Sequence, residues 1–338
     1  MAKFDAIVIG AGINGLAAAV HLLAKGWSVA VLERADVPGG AVRTAELTLP
    51  GFRHDLFAMN LTLFAGSPFY QRHKERLHAQ GLEFVSIADS FSSAFPGGKW
   101  LGVDTDLDAT CARIARYSAR DAEQWRSMAE AFGSDASYIA GIMALPMPSF
   151  GLARLLFKAW REKGTSWILE MARMLVSSPR NYLDVRFESP EVRALMAAWA
   201  MHLDFAPDVA GGAVFPYLES MAGQNFGMLI GKGGADAIVK AMVGAVEAAG
   251  GKVLLGAEVR EIVEREGKAE GVILADGRRF DARRAVIANL HPKLLIDRLA
   301  PGIDPSFAGA ARKFRPGPAT MMVHLAMDEL PDWTAGRE

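Results

Sequence analysis

The start of the chain has a strand–helix–strand pattern of hydrophobic and polar positions. Residues 4–9 form a short apolar run rich in β-branched side chains, residues 14–25 carry apolar positions at helical spacing, and residues 27–33 are apolar again. Two strands joined through a helix predict a parallel βαβ unit with a right-handed crossover. The loop after the first strand is therefore expected at the carboxyl edge of a sheet, where folds of this kind bind ligands.

The middle of the chain has helical rather than strand periodicity. Residues 106–132 are amphipathic at helical spacing, and helical segments rich in Met and Trp continue to about residue 203. The longest uncharged stretch, residues 136–153, is interrupted by Pro146 and Pro148, so a membrane-spanning helix is not expected there. We interpret this stretch as buried helix and loop, or as a segment that contacts a lipid surface.

Strand patterns return in the last third of the chain. Residues 235–249 predict a helix that ends at Gly250-Gly251. The strand predictions that follow are a meander of residues 252–255, 258–264 and 271–275, a hairpin turn at Asp276-Gly277 leading to residues 279–281, and separate strands at 285–288 and 319–326.

These patterns predict an α/β fold with two domains. We expect a discontinuous Rossmann-like nucleotide-binding domain formed by residues 1–105 and 228–290. A helical or mixed substrate domain, residues 106–227 and 291–338, is inserted into it and follows it. The length of 338 residues agrees with this division, because domains average roughly 150 residues.

Composition and charge exclude several classes of protein. With 51% hydrophobic and 22% charged residues, the chain is a compact globular protein rather than a disordered one. The formal net charge of -1 gives no field that would attract nucleic acid or anionic lipid, so nucleic acid is not an expected partner. The single cysteine, Cys111, excludes an internal disulfide, a dithiol couple and a multi-thiolate zinc site, and it predicts a reducing compartment, the cytoplasm. The first residues lack the pattern of a targeting segment.

The loop after the first predicted strand carries a dinucleotide-binding pattern. It reads Gly10-Ala11-Gly12-Ile13-Asn14-Gly15, a GxGxxG motif between strand and helix. Gly10 permits a tight turn, Gly12 lets the backbone approach a pyrophosphate, and Gly15 lets helix and strand pack closely. Glu33 ends the second strand, where its carboxylate can accept both hydroxyl protons of an adenosine ribose and would repel a 2′-phosphate.

A second glycine pair follows Glu33 directly, within residues 38–44. Gly39-Gly40 would let the backbone close over a long ligand, which favours a flavin over a nicotinamide. Arg43 is either a fixed cation for a phosphate or flavin edge, or an exposed surface arginine. An enzyme that uses NAD alone remains an alternative, weakened by this glycine pair and by the predicted meander.

Together these residues resemble a known family. The run Asp5–Thr44, with its GxGxxG motif, Glu33-Arg34 and Gly39-Gly40, is similar to the amino-terminal FAD fingerprint of the phytoene-desaturase-like flavoproteins, which also resemble the amine oxidases. Further segments resemble the Gly-Phe-x-x-Asp segment, the glycine-rich helix entry, the strand whose backbone meets adenine and the return strand: residues 51–55, 231–234, 258–262 and 286–289. The nearest branch is that of the pyridine nucleotide-disulphide oxidoreductase domain proteins, although this chain has no Cys-x-x-Cys.

The resemblance implies a glutathione-reductase-like FAD domain with a specific set of cofactor contacts. These are Gly10, Gly12, Ile13, Asn14, Gly15, Glu33, Arg34, Gly39, Gly40, Arg43, Val259, Ala288 and Asn289. Family members are longer and end with a glycine-rich segment that returns to the flavin ring, and this sequence stops before one. We therefore expect the adenosine and pyrophosphate half of the site, with part of the isoalloxazine wall missing. The chain is then a fragment, or it is completed by a second polypeptide or a homo-oligomer.

The implied activity is that of a FAD-dependent oxidoreductase of the desaturase or dehydrogenase type. It would take a hydride from a hydrophobic substrate such as a polyisoprenoid, and the Met-rich insertion suits an apolar channel as well as an ordinary helical core. The alternatives are a flavin amine oxidase and a non-catalytic subunit. No hydrolase or metal motif is present in the sequence. A lipid-dissolved substrate would require peripheral contact with a membrane surface, through residues 136–153 and without electrostatic help.

Catalytic residues are not assigned by this pattern. His54, Asp55, His202 and Asp204 are candidates to assist proton loss from a substrate carbon. Asp55 matches the family segment, and its alternative role is to cap or hydrogen-bond near the cofactor. The alternative for His202, which lies between Met201 and Leu203, is a hydrogen-bonded core residue. Cys111 is expected to be a small buried hydrophobe.

Overall fold

A computed structural model describes residues 2–317 and 320–335 of the chain. The chain divides into two compact units. The first comprises Met1–Val85 and Leu229–Asp328, and the second comprises Ser86–Met228 and Glu329–Glu338.

The described residues form helices and strands along most of the chain. The first stretch contains β1 (Ala2–Ile9), α1 (Ile13–Leu23), β2 (Val29–Leu32), β3 (Thr44–Glu46), β4 (Arg53–Asp55), α2 (Thr62–Gly66), α3 (Pro68–His78) and β5 (Phe84–Ile87). The middle contains β6 (Asp89–Ala94), β7 (Trp100–Asp104), α4 (Leu107–Ala115), α5 (Ala119–Ala144), α6 (Phe150–Val176), α7 (Pro179–Arg186), α8 (Pro190–His202) and α9 (Val214–Phe226). The last stretch contains β8 (Met228–Gly231), α10 (Ala237–Ala248), β9 (Lys252–Leu254), β10 (Val259–Arg265), β11 (Lys268–Leu274), β12 (Arg279–Ala288), α11 (Pro292–Leu294), a π-helical turn (Leu295–Leu299) and α12 (Pro305–Arg312).

The first unit is built on a six-stranded sheet with the order β10-β11-β12-β1-β2-β9. The four strands β12, β1, β2 and β9 are parallel, whereas β10, β11 and β12 are joined as an antiparallel meander. The register pairs Ile9 at the end of β1 with Leu32 of β2 and with Ala288 of β12. The loops that begin at Gly10, Glu33 and Asn289 therefore leave the sheet at the same edge.

The apolar character of β1 and β2 follows from burial on both faces of the sheet. Ala6, Val8, Val29 and Val31 lie in a core cluster with residues of α1 and α10, which cover one face. The alternate residues Ile7, Ile9, Ala30 and Leu32 pack in a second cluster with side chains of the antiparallel meander. This alternation reflects the two-residue period of a strand.

The second unit is mainly helical, and several of its helices begin at a serine. The hydroxyls of Ser118, Ser149, Ser178 and Ser189 each accept a hydrogen bond from a backbone N–H in the first turn of α5, α6, α7 and α8. Side-chain caps of this kind satisfy donors that a helix leaves unpaired. The core of the unit surrounds the fully buried Trp125, whose indole donates to Gln224 Oε1 at 2.9 Å.

The structure shows the surroundings of Cys111 and the length and polarity of the helices. Cys111 is buried in the second unit, and burial raises the pKa of its thiol. Among the described residues, no helix combines the length and the apolar character needed to cross a lipid bilayer.

The compact units differ from the sequence-based division in two ranges. Residues 86–105 were assigned to the nucleotide-binding part, but Leu101 and Val103 of β7 pack in the helical core with Trp125. Residues from 291 onward were assigned to the other part, but Leu299 packs in the sheet cluster with Ile9. In both ranges, the burial of a few apolar side chains determines the unit to which the range belongs.

Several element predictions were wrong in detail. Residues 252–254 do not join the meander, because β9 pairs in parallel with β2. Residues 279–288 form one strand rather than two, since β12 is held along its length by β1. The helix predicted over 106–132 is interrupted, and α5 begins after its cap Ser118. Of the strand predicted at 319–326, residues 320–326 are irregular, and Ala319 lies outside the described residues.

Candidate dinucleotide-binding site

A cleft of about 560 Å³ opens in the first unit at the carboxyl ends of β1, β2 and β12. Most of the predicted cofactor residues line it, namely Gly10, Gly12, Ile13, Asn14, Glu33, Arg34, Gly39, Gly40, Val259 and Asn289. The parallel strands bring these sequence-distant residues together because their carboxyl ends share one sheet edge. This is the position at which parallel α/β folds bind ligands.

The first glycine loop is packed too tightly for larger residues. Gly10 has a φ of +99°, and a Cβ atom there would lie 2.9 Å from the backbone oxygen of Asn289. A Cβ atom on Gly15 would lie only 2.2 Å from the backbone oxygen of Gly10. Helix α1 begins at Ile13, and among the described residues no side chain caps it. Its first N–H groups and the positive end of its dipole are therefore available to an anion.

The second glycine pair packs directly on the first loop. Gly39 N–H donates to the carbonyl of Ala11 at 2.9 Å, and Gly39 forms a parallel backbone bridge with Gly12. Gly39 has a φ of +117°, and its Cβ would lie 2.3 Å from the carbonyl oxygen of Val42. The pair therefore forms part of the loop structure as well as the cleft wall.

The carboxylate of Glu33 joins the first glycine loop to the segment that follows β2. One carboxylate oxygen accepts a hydrogen bond from Ala11 N–H at 2.8 Å, and the other accepts from Ala35 N–H at 3.0 Å. Each oxygen of an ionised carboxylate has capacity for a further hydrogen bond. Glu33 can therefore hold the glycine loop in place and still accept hydrogen bonds from a ligand in the cleft.

Asn289, which directly follows β12, supports the same loop. Its backbone N–H donates to the carbonyl of Ile9 at 3.0 Å. Its side-chain nitrogen would lie 3.3 Å from a Cβ atom on Gly12 and 3.1 Å from one on Gly15. The Asn289 amide thus occupies the space that the two glycines leave.

Three predicted cofactor residues do not line the cleft. Gly15 is buried beneath the loop, and Ala288 lies within β12, paired with Ile9. The Arg43 side chain passes the Gly39 backbone, where its Cγ would lie 3.3 Å from a Cβ atom. Gly15 and Ala288 act through packing in this structure.

The wall formed after Asn289 was not predicted from the sequence. Leu290, His291 and Arg298 line the cleft there, and Arg298 lies 3.8 Å from the carboxylate of Glu258 in the predicted adenine segment. A helical run of apolar residues after Pro292 indicates this wall in the sequence, but that run was assigned to the other domain. The π-helical turn within the run, Leu295–Leu299, cannot be distinguished from an α-helix by periodicity.

Asp55 and His54 lie on β4, outside the residues that line the cleft. Asp55 Oδ1 accepts hydrogen bonds from Thr44 Oγ1 at 2.5 Å and from Ala235 N–H at 2.8 Å. His54 Nε2 lies 2.8 Å from Thr48 Oγ1. The carboxylate of Asp55 is therefore engaged in a structural network, in agreement with its alternative role as a cap.

His202 and Asp204 belong to the second unit. His202 ends α8, and its exposed ring lies 6.0 Å from the ring of Trp199. The interpretation of His202 as a buried core residue is wrong, because the helix turns it outward. Asp204 has a φ of +66° in the turn that follows. Nearby in the same unit, burial raises the pKa of Glu219, and His202 partly opposes that rise.

The family that this chain matches agrees with a dinucleotide-binding cleft. Residues 13–337 match the family described as flavin containing amine oxidoreductase. The chain belongs to this family. It is a family of FAD-dependent oxidoreductases, so the predicted family, fold class and cofactor type are confirmed.

Individual relatives cover most of this chain but only part of their own. A neurosporene-forming phytoene desaturase from Cereibacter sphaeroides is 30% identical over 80% of this chain and 50% of its own length. Pyridine nucleotide-disulfide oxidoreductase domain-containing protein 2 from Mus musculus is 25% identical over 98% of this chain and 61% of its own. An oxidoreductase structure from Methanosarcina mazei shares the fold, with a TM-score of 0.59, 21% identity, and coverage of 92% of this chain and 64% of that one. The chain spans about half of the length of the first of these relatives.

The residues of the cleft fit the adenosine diphosphate part of FAD. The uncapped N-terminus of α1 offers donors to a pyrophosphate, and the carboxylate of Glu33 offers acceptors to a ribose. The glycines that line the cleft carry no side chain of their own, so the loop backbone itself forms part of the cleft wall. The volume of about 560 Å³ is in the usual range for a small-molecule site.

Proposed function

We propose that this chain forms the adenylate-binding part of a FAD-dependent oxidoreductase that takes a hydride from a hydrophobic substrate. The observation that carries the proposal is the cleft at the end of β1, where the two glycine segments and Glu33 converge. The similarity to a phytoene desaturase supports an apolar, polyisoprenoid-like substrate. The desaturase or dehydrogenase type of reaction is the version that we favour.

In this proposal the residues of the chain bind and orient the cofactor. The first N–H groups of α1 hold the pyrophosphate, and Glu33 accepts hydrogen bonds from the two ribose hydroxyls. The glycine pair at Gly39 closes the backbone over the ligand. The wall at Val259 supports the adenine. When bound, FAD supplies the hydride acceptor, and the protein supplies its orientation and electrostatics.

Proton transfer is not assigned to Asp55 in this proposal. Asp55 is retained as a positioning residue because its oxygen atom Oδ1 already accepts two hydrogen bonds. His54 and His202 stay candidate proton acceptors from the sequence analysis. Single substitutions of these two histidines, with flavin reduction by substrate as the measurement, test that prediction.

A flavin amine oxidase is the second candidate function. The family that matches residues 13–337 carries this activity in its description. The two candidates differ in substrate, so anaerobic reduction of the flavin by a polyene or by an amine distinguishes them. Reduction by the amine alone contradicts our proposal.

The cofactor assignment is tested by the ligand that the protein retains. The purified chain should take up FAD and show flavin absorbance, and denaturation should release intact FAD. Glu46, an exposed glutamate on β3, offers a matched control: Glu46→Gln should retain FAD, whereas Glu33→Gln should lose most of it. A chain that rejects FAD and binds NAD, or that binds neither, contradicts the proposal.

The cellular setting is also part of the proposal. We place the protein in the cytoplasm, with peripheral contact at a membrane surface where an apolar substrate would dissolve. We also propose that the chain associates with a second polypeptide or with a second copy of itself. Size-exclusion chromatography with and without FAD measures whether the chain associates, and turnover by the monomer would exclude a purely non-catalytic role.

A further inference from the structure

The first half of α6, residues 150–163, presents an apolar face that is exposed rather than buried. Phe150 is 88% exposed, Phe157 is 58% exposed and Trp160 is 49% exposed. Phe150 and Phe157 are seven residues apart, which is two helical turns, so they lie on the same face. Ala159 on the opposite side is only 1% exposed and packs inward. The large aromatic side chains thus lie on the solvent side of a well-packed helix.

Cations share this face with the aromatic side chains. Arg154 and Arg161 follow Phe150 and Phe157 by four residues each, so they flank the aromatic pair on the same side. Lys158 lies beside them, and residues 150–163 contain a single acidic side chain, Glu162. Within the described part of the chain, neither Arg154 nor Arg161 has a carboxylate at ion-pair distance. The local charge is therefore positive although the whole chain is nearly neutral.

The surroundings of the helix favour a surface role over internal packing. A recess of about 620 Å³ lies beside the face and is lined by Leu145, Leu155, Phe157, Lys158 and Arg161, among others. Gly164, with a φ of +85°, ends this helical segment within α6. Aromatic side chains flanked by arginine and lysine on one face are typical of helices that lie in a membrane interface.

We infer that residues 150–163 dock the protein on the surface of an anionic lipid bilayer, with Phe150 and Phe157 inserted among acyl chains and Arg154 and Arg161 on the headgroups. The charge complementarity selects anionic lipid as the occupant. This inference rests on the proposed function for its purpose, the capture of a lipid-dissolved substrate. It also places the contact on α6, which shares residues 150–153 with the stretch expected from the sequence, and makes the contact electrostatic in part.

Flotation of the 338-residue chain with vesicles tests the inference. The chain should float with vesicles of phosphatidylcholine and phosphatidylserine, and less with phosphatidylcholine alone or at high salt. The double variant Arg154→Gln/Arg161→Gln should lose about 25-fold in affinity for the anionic vesicles, since each cation near such a surface contributes about fivefold. Phe150→Ser/Phe157→Ser should lower binding to both kinds of vesicle.

Matched variants and a second measurement keep the outcomes distinct. Arg72→Gln/Arg76→Gln on α3 removes the same charge, and Leu63→Ser/Val185→Ser removes other exposed apolar side chains, so both should float like the parent chain. Circular dichroism checks folding. Equal flotation of the parent and Arg154→Gln/Arg161→Gln chains, no flotation at all, or a dimer that Phe150→Ser/Phe157→Ser dissociates would overturn the inference. Flavin absorbance is recorded separately, so a chain that floats without flavin contradicts the proposed function and leaves the docking surface standing.

Discussion

The carboxylate of Asp55 accepts a hydrogen bond from the backbone N–H of Ala235 at 2.8 Å, and this bond joins segments 180 residues apart. Thr44 adds a second link, because its hydroxyl donates to Asp55 and accepts from Asp236 N–H at 3.2 Å. The residue at the start of α10, Asp236, has no capping bond from its own side chain. The β3–β4 hairpin therefore caps α10, and α10 packs beside α1 and its glycine loop.

Replacement of Asp55 by alanine should destabilise the first unit without changing the chemistry directly. The Ala235 N–H would lose its acceptor, which costs about 1–3 kcal/mol in the free energy of unfolding for a group that remains desolvated. Asp55→Asn keeps an acceptor oxygen and should retain more of the stability. Denaturant unfolding of the two variants measures the difference. If Asp55→Ala kept full stability but lost turnover, Asp55 would instead be assigned a role in proton transfer.

Gly15 should tolerate no side chain. A Cβ atom there would lie 2.2 Å from the carbonyl oxygen of Gly10, so Gly15→Ala must displace backbone at the cleft floor. We expect a loss of about 1–3 kcal/mol in unfolding free energy, as for overpacked cores, together with a lower ratio of flavin to protein.

Gly133 supplies the matched control for this substitution. It lies within α5 with no atom within 4 Å of an added Cβ. Gly133→Ala should stabilise the helix by about 0.5–1 kcal/mol and leave flavin content unchanged. If both alanine variants kept the flavin equally well, the close packing described for Gly15 would not be needed for binding.

Glu33→Gln should weaken cofactor binding and loosen the loop at the same time. The amide has one acceptor oxygen where the carboxylate has two, so either Ala11 N–H or Ala35 N–H loses its partner. Loss of a charged acceptor to a ribose corresponds to about 1.5–3 kcal/mol, or roughly 10- to 100-fold in the dissociation constant of FAD. Fluorescence titration of the apoprotein measures this change. An unchanged dissociation constant would show that the ribose is bound elsewhere.

The sequence predicted the β1–α1–β2 unit well because its information is local. Apolar runs and the glycine spacing determine strands, helix and tight turn within one segment, and the cleft appears where this unit predicts it. The neighbours of a short strand in the sheet are not determined by local sequence. The three residues of β9 could have joined the meander or the parallel strands, and only packing of the whole sheet selects β2 as their neighbour.

The cleft was predictable in part for the same reason. Gly10, Gly12 and Glu33 are recognisable from local spacing, whereas Arg298 reaches the cleft only through the turn after Asn289. Arg43 was expected either at a phosphate or flavin edge or as an exposed surface arginine, and the structure places its Cγ atom 3.3 Å from a Cβ atom built on Gly39. Side-chain direction in a loop depends on neighbours that periodicity does not reveal.

The pH dependence of the unfolding free energy should reveal the protonation of the buried His73 on α3. Burial lowers the pKa of His73 from its ordinary value of 6.5, and the charges of His21, Arg72 and Arg76 lower it further. Its Nε2 atom is buried and has no hydrogen-bond partner among the described residues, and the His21 ring lies 5.8 Å away. A pKa that is lower in the folded than in the unfolded chain means that the unfolded chain binds the proton more readily. Stability is therefore complete above pH 6.5 and declines as the pH falls through 6.5 toward the folded-state pKa.

Unfolding free energies measured between pH 7.5 and about pH 5 test this behaviour, because that range brackets the ordinary histidine pKa. His73→Leu should remove the part of the pH dependence that begins near pH 6.5, whatever its effect on stability at neutral pH. The same slope in His73→Leu and the parent chain would place the pH-sensitive group elsewhere, with His21 as the next residue to replace.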